Sequence, residues 1–170
     1  MDKIANMLGA LSVVLADGMR EAIDEALDVT GETAAAIVTL GANPGLTVGK
    51  LARALGLSHS GAVRLADRLA HERLLERVPG KDSREVTLRL TRDGEQARIT
   101  ALRQRERVLH AAMAHLSHRD IENLGLCLDK MLRGLLTKAG ADYRFCRLCD
   151  EDSCVPASCP VEERSKELFG

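Results

Sequence analysis

Aromatic residues are almost absent from this chain of 170 residues, which has no tryptophan, one tyrosine and two phenylalanines. Folds built mainly from strands rely on aromatic and β-branched side chains for packing, so a sandwich or barrel is disfavoured. Leucine, alanine, valine and isoleucine must supply the core, which suits helices packed on helices. The composition therefore predicts a mainly α-helical protein.

Long apolar runs are also missing. No stretch of about 18 apolar residues could span a bilayer. Asp17, Arg20 and Glu21 interrupt the first apolar segment, and no cleavable signal follows it. The sequence assembles no Ser-His-Asp group, phosphate loop or paired catalytic carboxylates with any specificity. We therefore expect a cytoplasmic protein that is not an enzyme and has no membrane partner.

The net charge of −1 conceals an uneven distribution. Residues 47–92 contain ten basic and five acidic residues, residues 1–46 two and seven, and residues 93–170 twelve and thirteen. A basic central segment is the footprint of a surface that contacts phosphates. A charged face turned only to solvent explains the counts equally well.

Apolar periodicity and capping residues predict the helices of the first half. Apolar residues recur every three or four positions over 4–27, which indicates one long amphipathic helix. Shorter helices are predicted over 33–40, 48–55 and 59–73, with N-caps at Thr30, Thr47 and Ser58 and a tight turn at Gly56.

Strand signals are confined to one hairpin after these helices. Val86, Leu88 and Leu90 alternate with polar residues, which predicts a half-buried strand that pairs with residues 75–79 across a polar tip at 80–84. Helices follow over 92–116 and 119–139. The expected fold class is mainly α with a small β-hairpin wing, namely a winged helix-turn-helix reading head plus a helical dimerisation region.

The long helices divide the chain into functional parts. Helices 4–27, 92–116 and 119–139 offer more apolar surface than one small head can cover, so we expect a homodimer. Residues 1–139 form the predicted winged-helix domain, with its DNA-binding head at 34–91. Residues 140–170, here called the cysteine tail, follow it.

The segment LTVGKLARALGLSHSGAVRLADRLAHERLLERVPGKDSREVTLRLTRDG resembles the core of MarR-type winged helix-turn-helix regulators. The Asp82-Ser83-Arg84 tip and the Leu90-Thr91-x-x-Gly94 exit carry the likeness best. It is strong over residues 34–95 and extends by helix order to about 139. The resemblance implies a dimeric repressor whose operator affinity falls when an effector acts: a small ligand, a metal or thiol oxidation. Arg73 departs from the family, which usually has glycine there.

A recognition helix reads bases with its first two turns, so its early residues are the candidate DNA contacts. Arg64 is placed to pair with guanine, whereas Arg68 is expected to meet phosphate or to pair with Asp67 or Glu72. The small side chain of Gly61 either permits close approach to bases or reflects neutral drift. The full candidate set is Thr47, Ser58, His59, Ser60, Gly61, Arg64, Arg68, Lys81, Asp82 and Arg84.

Lys81 and Arg84 give the wing two cations, which suit a narrow minor groove. The resemblance implies that Arg84 enters the groove and that Asp82 shapes the wing. Thr47 and Ser58, at helix N-termini, are placed to bring backbone N–H groups to phosphate. The expected partner is double-stranded DNA with a pseudo-palindromic operator.

Four of the five cysteines lie in the cysteine tail, in the pattern C-x2-C-x4-C-x4-C formed by Cys146, Cys149, Cys154 and Cys159. Four thiolates can complete a tetrahedral shell around zinc, which would order a tail with few large apolar residues. An iron–sulfur cluster and a metal-free disulfide switch are the alternatives. The acidic run 150–152 is expected to raise thiol pKa values. The fifth cysteine, Cys127, is predicted to be a core residue.

These features leave two functional hypotheses open. The first is a dimeric, sequence-specific transcriptional regulator, most simply a repressor. The alternative is a zinc-containing winged-helix module that binds a protein partner without sequence-specific DNA binding. The basic segment 47–92 favours the first.

Overall fold

The computed structural model describes residues 2–29, 32–80, 85–138, 141–154 and 159–170. The elements in chain order are α1 (Lys3–Leu27), α2 (Thr33–Ala42), β1 (Leu46–Thr47), α3 (Val48–Leu55), α4 (His59–His71), β2 (Leu75–Pro79), β3 (Val86–Leu90), α5 (Arg92–Met113), α6 (His118–Leu135), α7 (Asp142–Cys146), α8 (Glu151–Cys154) and α9 (Pro160–Phe169). The predicted fold class, mainly helical with a small β-wing, is confirmed.

The core of the reading head lies where α2, α3 and α4 meet the sheet. Its fully buried side chains include Ile37, Leu40, Leu51, Leu69 and Leu88. Burying such aliphatic side chains contributes about 1.5–3 kcal/mol each. The amphipathic faces of short helices are thereby locked together without any aromatic residue.

The predicted N-caps Thr47 and Ser58 are confirmed by hydrogen bonds to their side chains, and Thr91 and Ser117 cap α5 and α6 in the same way. Thr47 accepts from Lys50 N at 3.4 Å, Ser58 from Gly61 N at 3.1 Å, Thr91 from Gly94 N at 3.1 Å and Ser117 from Asp120 N at 3.3 Å. Each bond satisfies an N–H that the helix leaves without a partner. Polar residues thus set where these helices begin.

Several helix ends differ from prediction. Glu32, not Thr30, is the N-cap of α2, and Thr30 lies outside the described residues. Helices α5 and α6 end at Met113 and Leu135, short of the expected 116 and 139. Helix α4 ends at His71 because Arg73 turns to a left-handed φ of 60°.

The sheet corrects two predictions. It has three antiparallel strands in the order β1-β3-β2, so the strands are not confined to the hairpin. Strand β1 has only two residues and is too short to show periodicity. Leu88 and Leu90 are buried as expected, but Val86 is 50% exposed and Thr87 is buried. Thr87 lies inside because it pairs with Thr47 on one side and donates to Val78 O at 3.3 Å.

The long helices lie outside this head. Helix α1 packs along α5, where Ile23 and Ala101 are buried together with Val38 of α2. Helix α6 has no buried residue, and Cys127 on it is exposed, so the prediction of a core cysteine is wrong. Nothing else in the described chain covers that part of α6.

The cysteine tail packs back onto the rest of the protein. Helix α9 lies against α6 and α7, and α7 lies against α3 of the reading head. Val161 and Leu136 are buried, and Leu148 contacts both core clusters. The tail therefore has more apolar anchorage than its composition predicted.

Among the described residues, no helix combines the length and the apolar character needed to cross a bilayer.

Candidate nucleic-acid interface and cysteine cluster

The turn between α3 and α4 presents α4 to solvent. Gly56 adopts a left-handed φ of 69°, and Leu57 N and Gly56 N donate to Ala52 O and Arg53 O at 2.9 and 3.3 Å. This is a glycine-terminated helix end, where a Cβ would be strained. Ser58 then caps α4, so the two helices are fixed at a tight corner.

One face of α4 is buried and the other is open. Ala62, Leu65, Ala66 and Leu69 pack inward. Outward lie the predicted base-reading residues Ser58, His59, Ser60 and Arg64, all exposed. Within the described chain Arg64 forms no ion pair, so its guanidinium is available to an external acceptor.

Gly61 has a local role that sequence reasoning missed. A Cβ on Gly61 would lie 3.1 Å from Ser58 Oγ, the atom that caps the helix. A larger residue would therefore crowd the cap. This contact is a reason for glycine separate from close approach to DNA.

Arg68 is exposed, but neither of the side chains predicted to pair with it, Asp67 and Glu72, is the partner that the structure shows. Its Nη2 donates to Thr33 Oγ1 of α2 at 3.0 Å. Asp67, expected to attract it, instead pairs with Arg77 of β2 at 2.7 Å. Arg68 thus ties α4 to α2, and its role as a DNA contact remains a prediction.

The base of the wing is ordered by hydrogen bonds and ion pairs. Gly80 N donates to Glu85 O at 2.7 Å, and Arg89 pairs with Glu76 at 2.8 Å across the strands. Three predicted contacts at the tip, namely Lys81, Asp82 and Arg84, lie outside the described residues. Thr47, the remaining candidate, is half-buried with its hydroxyl committed to capping α3.

The four tail cysteines converge on one cavity of about 390 Å³. Cys146 ends α7, Cys149 follows within one turn, Cys154 ends α8, and Cys159 precedes α9. All are partly buried and free of disulfides. The fold thus brings close together the four cysteines whose spacing predicted a shared site.

The thiols influence one another. A hydrogen bond from Cys146 lowers the pKa of Cys149 to about 7, assisted by the Arg105 charge and opposed by burial. The same hydrogen bond, with burial, raises the pKa of Cys146. Burial raises the pKa of Cys154, with added effects of Cys149 and Cys159. Asp150 and Glu151 act in the predicted direction on Cys149, but Cys146 and Arg105 outweigh them.

Proximity alone does not make a finished metal site. Within the ranges that the structure describes, no group of three or more His, Cys, Asp or Glu side chains is arranged so that it could hold a metal ion. The sulfurs are neighbours in pairs, and closing a shell requires them to turn toward a common centre.

Two arginines near this cluster carried no local sequence signal. Arg105 of α5 lies close enough to act on both Cys149 and Cys154. The Arg144 guanidinium of α7 lies 3.9 Å from where a Cβ on Gly56 would stand, directly at the corner between α3 and α4. Both positions depend on tertiary packing, which periodicity does not encode.

Comparison with known proteins agrees with this geometry. Residues 27–85 match the model of the MarR family. A MarR family protein from Bacillus stearothermophilus is 26% identical, with a TM-score of 0.72 over 79% of this chain and 94% of that chain. No curated protein matches the sequence.

Two further solved structures share the fold. RV1404 from Mycobacterium tuberculosis is 21% identical, with a TM-score of 0.70 over 79% of this chain and 93% of that chain. A mutant of MepR from S. aureus, bound to an oligodeoxyribonucleotide, is 22% identical, with a TM-score of 0.59 over 79% and 99%. With the match over residues 27–85, the open face of α4 and the three-stranded sheet, this chain is similar to winged helix-turn-helix proteins of the MarR family.

Proposed function

We propose that this protein is a homodimeric, sequence-specific DNA-binding repressor. The observation that carries the proposal is the outward face of α4, where four exposed polar residues, Arg64 among them, stand opposite a fully buried apolar face. A helix held in this way by its partner α3 fits the major groove. The DNA-bound MepR structure supports the same use of the fold.

Charge supports DNA as the partner. The segment 47–92 carries a net +5, although Arg77 and Arg89 are partly neutralised by Asp67 and Glu76. The Arg77–Asp67 pair joins β2 to α4, and the Arg89–Glu76 pair joins the two strands of the hairpin. Exposed Arg53 and Arg64, together with the sequence-predicted Lys81 and Arg84, then supply the phosphate and groove contacts.

A second copy of the chain completes the reading unit. Helix α1 exposes Ile4, Met7, Leu8 and Leu11 at steps of three and four, which form one stripe. Helix α6 exposes Ile121, Leu128, Met131 and Leu135 in the same manner. Apolar stripes of this length favour burial against another subunit, and a two-fold dimer matches a pseudo-palindromic operator.

A second cavity of about 450 Å³ lies between α5 and the cysteine tail, lined by residues that include Arg103, Leu109, Cys149 and Cys154. A ligand there, or a change at the thiols, would act on the packing that positions the head. We propose that such an effector lowers operator affinity.

The test is selection of binding sites from randomised duplex DNA, followed by titration of Arg64→Ala on the enriched site. Loss of a guanine contact should cost about 1–3 kcal/mol, or roughly 5- to 150-fold in affinity, and should relax preference at one base position. Arg119→Ala, which removes an exposed arginine from α6, is the matched control and should bind as the parent does.

Two results would overturn sequence-specific binding: selection that enriches no sequence, or Arg64→Ala that binds the enriched site unchanged. Repression is tested separately, with the enriched site placed across a reporter promoter. Expression that rises when the protein is supplied would replace the repressor with an activator.

A further inference from the structure

The cysteine tail contains the strongest cluster of metal-ligating side chains outside the DNA-reading face. Four thiols from three short elements line a single cavity, although Cys146 and Cys159 are thirteen positions apart. A cavity lined by four cysteines is a candidate site for chemistry that these thiols share.

We propose that Cys146, Cys149, Cys154 and Cys159 bind one zinc ion, which fixes the cysteine tail against the helix-turn-helix. Four sulfur ligands are a common structural shell for zinc. In the described residues the sulfurs do not yet surround a common centre, so zinc binding requires the side chains to turn toward one by rotation about their Cα–Cβ bonds.

The surroundings suit a zinc–thiolate centre. Four thiolates around a dication leave an excess of negative charge, and Arg105, which lines one cavity together with Cys149 and Cys154, is placed to offset it. Cys159 is the N-cap of α9 but makes no capping bond with its side chain, so the helix start does not depend on its sulfur. Cys149 N donates to Cys146 O at 2.8 Å, which forms the tight turn that places two ligands together.

The position of the cluster connects it with the reading head. Helix α7, which carries Cys146, packs on α3, and its Arg144 reaches the corner at Gly56. On the other side, Arg133 of α6 pairs with Glu163 and with Glu167 of α9, the latter at 3.2 Å. Zinc would join α7, α8 and α9 between these two anchors and so hold α7 in place.

Metal content is the first test. Protein purified without added metal, then given zinc and freed of excess, should retain one zinc per chain by elemental analysis. Cys149→Ser and Cys154→Ser should lose it, whereas Cys127→Ser, which changes the exposed cysteine of α6, should keep it. Circular dichroism and thermal unfolding establish that each variant is folded.

Chelation of the unmodified protein provides a measurement independent of any variant. Removal of zinc should speed proteolysis after about residue 141 while the winged-helix core stays folded. Protein that stays zinc-free after exposure to zinc, with all five thiols titratable, or protein with disulfides as purified, would overturn the proposal. Visible absorption from bound iron and sulfide would overturn it in favour of a cluster.

The link to DNA rests on the proposed function and has its own readout. Chelation should weaken binding to the selected operator by roughly fivefold or more. Arg144→Ala should retain zinc yet reproduce part of that loss. Unchanged affinity after chelation would overturn the coupling but leave zinc binding intact. A zinc-loaded protein that binds no DNA would instead refute the DNA-binding proposal.

Discussion

At the scale of single residues, the chain leaves two helices of the reading head through the same left-handed backbone conformation, but with a different residue at each. Just after α3 the backbone turns left-handed at Gly56 (φ 69°), and just after α4 it does so at Arg73 (φ 60°). In both, crossed backbone bonds close the end: Leu74 N and Arg73 N donate to Leu69 O and Ala70 O at 2.9 and 3.1 Å. Glycine suits this left-handed position, and arginine is strained there.

Arg73→Gly should therefore stabilise the protein. Glycine relieves the strain of the left-handed conformation, but it also has more conformational freedom than arginine in the unfolded chain. The net increase in the free energy of unfolding should be about 0.5–1 kcal/mol. Urea unfolding monitored by circular dichroism measures it.

Arg73→Ala is the control, because it removes the charge but keeps the Cβ. It should give no comparable gain. Equal stabilisation by alanine and glycine would show that the charge, not the backbone, is responsible.

At the scale of elements, the start of α5 passes unusually close to the start of β2. Thr91 N donates to Leu74 O at 3.1 Å, and Thr91 Oγ1 donates to Arg73 O at 2.6 Å. A Cβ on Gly94, one turn later, would overlap that same Leu74 carbonyl. The L-T-x-x-G exit is thus a close backbone approach that only glycine permits.

Gly94→Ala should destabilise the protein by about 1–3 kcal/mol, because the helix must shift away from β2. Gly49→Ala in α3 is the matched control, since nothing lies within 4 Å of its added Cβ. It should be neutral or gain up to about 1 kcal/mol from better helix propensity. Loss of equal size in both variants in urea unfolding would refute the steric explanation.

The elements that sequence predicted well are those with local signals. Thr47, Ser58, Thr91 and Ser117 cap helices by hydrogen bonds within four residues, so their patterns are visible in the chain. The strand β1 was not predictable, because two residues show no periodicity and pairing with β3 comes from forty positions away. Thr87 is buried for the same nonlocal reason.

At the scale of the whole molecule, the reading head was predictable and its connections were not. The exposed face of α4 follows from one amphipathic period, so the exposure of its candidate residues was predictable, while their contact with DNA stays a prediction. The partner of Arg68 is Thr33, and Arg144 lies beside Gly56, both joined across long separations. Convergence of the cysteines was predicted from spacing, but their packing between α3, α5 and α9 required the fold.

The exposed apolar stripes of α1 and α6 predict where two copies of the chain associate. Leu11 is 49% exposed and Leu128 is 44% exposed, although both are large and apolar. If these stripes meet in a dimer, a charge on either should be left unpaired in an apolar interface and should oppose association. Light scattering at micromolar concentration should give a dimeric mass for the parent protein and a largely monomeric mass for Leu11→Glu and Leu128→Glu.

Lys130→Glu is the matched control, because it adds the same side chain to the side of α6 away from its apolar stripe. It should remain dimeric. The monomeric variants should also lose tight binding to a two-half-site operator while each single head stays folded, since two heads on one dimer read both half-sites together. A monomeric parent protein, or glutamate variants that remain dimeric, would show that these stripes do not form the subunit interface.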